Sequence, residues 1–187
     1  MIRIGRRTLI RSGLRAGVGL SLTITTAEGQ VTRASARPAR GDLLVRAGGQ
    51  GKKPLTVGDV RLSASPIFAW PMDPRDGTVR SESRLNQVLL VGLDVQTLSP
   101  RTRPWAVNGV VAYTAICTHT GCAVADWIRD EQALYCSCHG SKFDPRDGAK
   151  VLEGQAPRPL PALPLKAVRG RLVVAAPFTT PVGFESA

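Results

Sequence analysis

The sequence predicts an all-β protein, built as one antiparallel domain behind a short N-terminal tail. Three observations carry this. Apolar and β-branched runs of strand length recur at NQVLLVGLD (86–94), GVVAYTAIC (109–117) and ALYCSC (133–138). Glycine and proline punctuate nearly every gap, in WPMDPRDG, TLSPRTRPW, DPRDG and GQAPRPLPALP. Sustained helical periodicity is absent beyond the first residues, and the strands follow one another without the crossover helices that a parallel sheet needs.

The tail comes first. A chain of 187 residues suits one domain of ordinary size plus an extension, and it can bury a core without metals or disulfides as staples. Residues 1–36 read as a leader. Arg6 and Arg7 are followed by Thr8, Leu9, Ile10 and Arg11, a pattern that resembles the twin-arginine export signal, with Gly5 in place of the usual hydroxyl residue. The uncharged run after it, 16–27, has only twelve residues. That is short of the roughly 20 needed to span a bilayer but suits the apolar region of a signal peptide. Small residues at Thr25 and Ala27, or at Ala34 and Ala36, offer cleavage points. The positive charge is concentrated here: residues 1–40 carry a balance of +7, and residues 41–187 only +4. No basic cluster is interleaved with aromatics, so nucleic acid is excluded as a partner.

Residues 37–58 read as a linker and first strand, the strand lying around the apolar run 43–45. Residues 59–180 form the main domain. PLKAVRGRLVVAAP predicts a hairpin with Arg169-Gly170 at its turn. DPRDG occurs twice, at 73–77 and 144–148, and both copies read as turns rather than calcium loops. Trp105 and Trp127 read as core or rim residues, and Arg158 as solvated.

The chain has four cysteines and two histidines, and all six lie between Cys117 and His139. They fall in two boxes, CTHTGC and CSCHGSKFD. Cys117 and His119 form a C-x-H arm, Cys136 and His139 a C-x-x-H arm, and Cys122 and Cys138 add one spare thiol to each box. A structural zinc module usually pairs like ligands within an arm and would leave two cysteines over. A pure disulfide reading leaves both histidines unexplained, and a cysteine nucleophile fits poorly with four clustered thiols. A two-iron, two-sulfide cluster accounts for all six. With two imidazoles replacing two thiolates, the oxidised site is formally neutral rather than doubly negative, so adding an electron is easier. Potentials rise accordingly, from about −400 mV to roughly −150 to +300 mV.

These boxes resemble those of the Rieske iron–sulfur proteins. Within that family they resemble the disulfide-bearing, high-potential branch found in cytochrome bc-type quinol-oxidising complexes and in the arsenite oxidase small subunit. The resemblance implies an antiparallel β-sandwich with a small inserted cluster-binding subdomain, about 115–145. It implies a [2Fe–2S] cofactor with Cys117 and Cys136 on one iron and His119 and His139 on the other, and a disulfide between Cys122 and Cys138. It implies that the Ser141 hydroxyl donates to a cluster sulfide, and that Gly154, Gln155, Ala156 and Pro157 form a proline loop covering the cluster. The sequence departs from the family at Thr120, where quinol-oxidising members carry Leu, at Phe143, where many carry Tyr, and at Ser137, where Pro is usual. Thr120 weakens the match to quinol docking, and Phe143 removes a hydrogen-bond donor and so predicts a lower potential.

The function expected is therefore that of an exported, high-potential one-electron carrier rather than a stand-alone catalyst. The first setting is a soluble carrier or small subunit of a periplasmic oxidoreductase, such as a molybdenum enzyme. The second is the Rieske subunit of a quinol–cytochrome c reductase, with a cytochrome b subunit beside it. A c-type cytochrome is the expected redox partner. The protein is expected on the periplasmic side of the membrane, soluble or anchored by its N-terminus. Twin-arginine export fits, because it carries folded, cofactor-loaded proteins into a compartment where a disulfide persists. An aromatic-ring oxygenase would need two further histidines for its mononuclear iron, and none remains.

Overall fold

The structure, a computed structural model, describes residues 32–49 and 51–184. The chain divides between Gln30 and Val31 into two units, and all the described residues lie in the second. The twin-arginine pattern and the run 16–27 fall outside the described residues. The second unit carries ten strands: β1 (Leu43–Arg46), β2 (Ile67–Met72), β3 (Val88–Gly92), β4 (Val110–Thr114), β5 (Asp126–Ile128), β6 (Ala133–Cys136), β7 (Ser141–Asp144), β8 (Lys150–Glu153), β9 (Leu165–Val168) and β10 (Arg171–Val174). Isolated 3-10 turns and loops join them.

The strands form two antiparallel sheets. The base sheet has six strands in the order β4-β3-β2-β1-β10-β9, and the smaller sheet four, β5-β6-β7-β8. The small sheet is inserted in the chain between β4 and β9, so the all-β class and the inserted subdomain are both present. The insert runs on through β8 to Glu153, past the 145 expected. The segment read as a linker and first strand is woven into the base sheet, with β1 pairing with both β2 and β10.

Burial explains why β3 and β4 read as continuous apolar runs. Leu89, Val91, Val111 and Tyr113 face one core, while Val88, Leu90, Val110 and Ala112 face another. A strand covered on both faces has no need to alternate. The second core is enclosed by the base sheet itself, which curls until the backbone before β9 runs beside β4: Leu163 N–H donates to Ala112 O at 2.9 Å and Thr114 N–H to Pro161 O at 3.0 Å. The first core lies between the base sheet and the insert. Leu134 and Phe143 enter it from β6 and β7.

Turn chemistry places the remaining corners. Arg169 (φ 52°) and Gly170 (φ 75°) both take the left-handed region, as a two-residue hairpin requires. In both DPRDG turns the first aspartate accepts the backbone N–H of the arginine two residues on, at 3.0 Å, and that arginine's guanidinium as well. Each leading carboxylate is thus consumed by its own arginine.

A buried ion pair fastens the start of the described chain to the base sheet. Arg80 donates to both oxygens of Asp42, at 2.6 and 3.0 Å, with both side chains nearly sealed from water. Asn86, fully buried, donates to the carbonyls of Ala36 and Arg80 at 2.8 and 3.2 Å. Removing one member of such a pair leaves an uncompensated buried charge. Arg80→Met is therefore expected to cost about 3–5 kcal/mol, whereas replacing both Asp42 and Arg80 by apolar residues should cost much less. Urea unfolding of the three proteins checks this: equal losses in the single and double variants would show that the pair's isolation is not what matters.

Candidate metal centre

Two short loops bring the soft donors to one end of the inserted sheet. The first leaves β4 and closes on itself, with Cys117 N–H donating to Cys122 O at 2.8 Å and Gly121 N–H to Cys117 O at 3.1 Å. Gly121 has φ +77°, which permits the reversal. The second joins β6 to β7. Cys136 pairs with Ser141 across those strands, leaving Ser137, Cys138, His139 and Gly140 to make the loop. The Cys122–Cys138 disulfide bridges the two loops, with a Cα–Cα distance of 6.5 Å.

The other donors come as two like pairs. Cys117 and Cys136 are free thiols, each 1% exposed, packed within the core shared by both sheets. Burial, together with the neighbouring Cys117 sulfur and against a backbone hydrogen bond from Cys138, pushes the Cys136 thiol up to about 11. The His119 and His139 rings lie edge to face with centroids 4.5 Å apart. His119 is half-buried and His139 exposed. His119 Nδ1 is buried with no hydrogen-bond partner, a costly arrangement unless something else accepts its lone pair. Among the described residues, no three His, Cys, Asp or Glu side chains converge on one point. Thiol beside thiol and imidazole beside imidazole, with an orphaned ring nitrogen, is a donor set that fits a two-iron cluster of mixed ligation.

The surrounding residues form a cradle. Ser141 is fully buried, and its Oγ accepts the Ala156 N–H at 3.0 Å, so its own proton is left to donate elsewhere. This bond fixes the 154–157 loop, of which Ala156 is buried while Gly154, Gln155 and Pro157 are exposed. Gly154 has φ +89°, and a Cβ there would lie 2.4 Å from Gly140 O and Ser141 Cα. Phe143 is wholly buried in the same core as both thiols. Thr120 is exposed, with its Oγ1 3.8 Å from Cys122 Sγ, so it touches the disulfide. Trp105 and Trp127 pack on the rim of that core.

Two contacts at this site carried no local signal in the sequence. The Arg84 guanidinium donates to the Gly121 carbonyl across 37 positions of chain. Arg158, read as solvated, instead donates to the carbonyls of Pro181 and Gly183. Neither pairing could be found without the fold.

Comparison with known proteins points to one family. The Rieske [2Fe-2S] domain family matches residues 78–164. The cytochrome bc1 complex Rieske iron-sulfur subunit of Streptomyces coelicolor is 31% identical over 96% of this chain and 53% of its own length. The corresponding subunit of Streptomyces lividans is 32% identical over 78% of this chain and 86% of its own. A Haloferax mediterranei protein, named as a respiratory nitrate reductase Rieske subunit, is 42% identical over 42% of this chain and 36% of its own. The chain thus spans about half of the first of these relatives and just over a third of the last.

Two variants test the cradle. Gly154→Ala should displace the 154–157 loop, because both the clash and the positive φ oppose a side chain. Faster loss of visible absorbance on dilution into chelator is expected, and a wild-type rate would show that the loop yields freely. Replacing Cys122 and Cys138 together by Ser removes a crosslink spanning 16 positions, worth about 3 kcal/mol. The expected outcome is a lower thermal midpoint for cluster loss with histidine ligation retained; loss of histidine coupling in pulsed EPR would contradict it.

Proposed function

The chain belongs to the Rieske [2Fe–2S] protein family and binds a two-iron cluster, and on that premise we propose that it passes single electrons as a subunit of a respiratory oxidoreductase. The observation that carries this is the pairing of two buried thiols and two adjacent imidazoles at one end of the inserted sheet. In this reading Cys117 and Cys136 hold one iron, and His119 and His139 the other, with His119 Nδ1 as a donor atom. When bound, the cluster takes up and gives back one electron at high potential. The residues around it set the conditions. The core about Leu134 and Phe143 keeps water from the two sulfurs, whose protons must leave on loading because only thiolate binds metal. The 154–157 loop covers a further side. The exposed ring of His139 gives a partner its nearest approach.

The setting we favour is a quinol–cytochrome c reductase, with a cytochrome b-type donor and a c-type cytochrome acceptor. The two Streptomyces relatives support it. The small subunit of another periplasmic oxidoreductase is the second reading, supported by the Haloferax relative and by Thr120 in place of an apolar residue. We also propose export to the periplasmic side, on the twin-arginine pattern and the disulfide. Fractionation of cells expressing the chain with Arg6 and Arg7 intact, or both replaced by Lys, tests this.

Purified protein should contain about two irons and, when reduced, show the low average g-value of mixed ligation. A four-thiolate signal, or zinc without iron, would overturn the reading. Ser141→Ala should lower the midpoint potential and Phe143→Tyr should raise it. A hydrogen bond to a charged acceptor is worth about 1.5–3 kcal/mol, and it strengthens when the acceptor gains an electron. If about half is differential, the shifts are on the order of tens of millivolts, at about 59 mV per tenfold for one electron. Voltammetry at fixed pH reads both, and shifts of opposite sign would show that these side chains do not face the cluster.

A further inference from the structure

The last described residues cross the first donor loop, and one arginine holds them there. Arg158 stands just beyond the 154–157 loop. Its Nη2 donates to the carbonyls of Pro181 at 3.0 Å and Gly183 at 2.7 Å, and its Nη1 to Thr180 Oγ1 at 3.5 Å. Its own carbonyl accepts the hydroxyl of Thr118 at 2.7 Å, and Thr118 lies between Cys117 and His119. A single residue thus grips the donor loop through its backbone and the C-terminal segment through its side chain.

The segment's far end returns to the same loop. A Cβ built on Gly121 would meet the Phe184 ring at 3.3 and 3.5 Å, so the ring stands over the side-chain face of that glycine. Phe184 is 56% exposed, and it is placed as a cover rather than as core. The near end is pinned separately: Thr179 N–H donates to Ala162 O at 2.9 Å, and Ala162 N–H to Thr179 Oγ1 at 3.0 Å. The Arg158 tie reaches three acceptors from two nitrogens, two backbone carbonyls on Nη2 and the Thr180 hydroxyl on Nη1, a spread that the single nitrogen of an ammonium does not cover.

We infer that residues 180–184 are a strap that sets the position of the 117–122 loop, with Arg158 as its latch. Arg158 is a positioning residue, acting through Thr118 and Gly121. The loop is then held from three directions: by the disulfide, by Arg84 on the Gly121 carbonyl, and by the strap. Releasing the strap frees Gly121 and lets water reach the loop from the Phe184 side. The inference rests on the reading of this loop as half of the cluster site.

The test is a cycle of three variants of the full protein: Arg158→Met, a chain ending at Thr179, and both changes together. Arg158→Met keeps the backbone carbonyl and the apolar stem. Each single change should speed cluster bleaching by chelator roughly tenfold, the size expected from loss of a charge-assisted hydrogen bond, and should broaden the EPR lines of the reduced protein. The double variant should be no worse than either single, because both changes undo one device. Arg158→Lys should behave like Arg158→Met. Additive effects, a truncated chain identical to wild type, or full rescue by Lys would overturn the strap and leave Arg158 as a local charge. Hydrogen exchange at the Gly121 amide, which donates to Cys117 O, reads the strap independently of the metal. It should quicken in Arg158→Met, and unchanged exchange would count against the strap. A wild-type protein without iron would instead sink the proposed function.

Discussion

The interaction on which the rest depends is the apolar contact between the two sheets. Leu89, Val91, Val111 and Tyr113 from the base sheet meet Leu134, Phe143 and Ala149 from the insert, and Cys117 and Cys136 are part of the same packed group. The thiols are therefore sealed by the burial that makes the insert a stable unit at all. A four-stranded sheet whose strands are three or four residues long depends on burying its hydrophobic face. It holds because one face is the lid of a core whose other wall is already fixed.

Polar contacts then set the angle of that lid. The buried Tyr113 hydroxyl donates to Pro145 O at 2.9 Å, and Gly148 N–H donates to Thr102 Oγ1 at 2.7 Å. Both contacts land on the second DPRDG turn, the corner between β7 and β8. Burial drives the Tyr113 phenol well above its ordinary range, so it stays a neutral donor. On the far side Lys142, nearly buried, is shared between Glu131 and Glu153 at 2.8 and 3.1 Å. The insert is thus clamped at a turn and across its outer face, while its loop end is left for the donors.

That arrangement gives the site an asymmetry suited to its chemistry. Sulfur lies inward, out of water, and imidazole lies outward, with His139 exposed. A negative thiolate pair in a dry core would be costly alone. In the proposed reading a cationic metal held by the two thiolates would offset that cost, and neutral imidazole ligands on the outer side would leave the whole nearly uncharged. Under the same proposal electrons would enter and leave by the exposed ring while the charged atoms stay protected. The same division explains why the bracing residues are spread around the loops rather than placed at the exposed tip.

The sequence by itself determined the chemistry and much of the strand set. The runs 86–94, 109–117 and 133–138 contain β3, β4 and β6, and Arg169-Gly170 turns β9 into β10. These were legible because strand periodicity, left-handed turn residues and soft-donor spacing are local properties, readable within a few residues. The two boxes were legible for the same reason. Only the tertiary structure decided which residues support them. Short β5, β7 and β8 carry too few apolar positions to stand out, and β1, legible as the apolar run 43–45, has its place between β2 and β10 set only by pairing. Arg84 reaches Gly121, Arg158 reaches Gly183, and Arg80 reaches Asp42, over 37, 25 and 38 positions. Such pairings have no spacing rule, because an arginine's partner is set by where the sheets bring the chain back, and that is a property of the packed molecule.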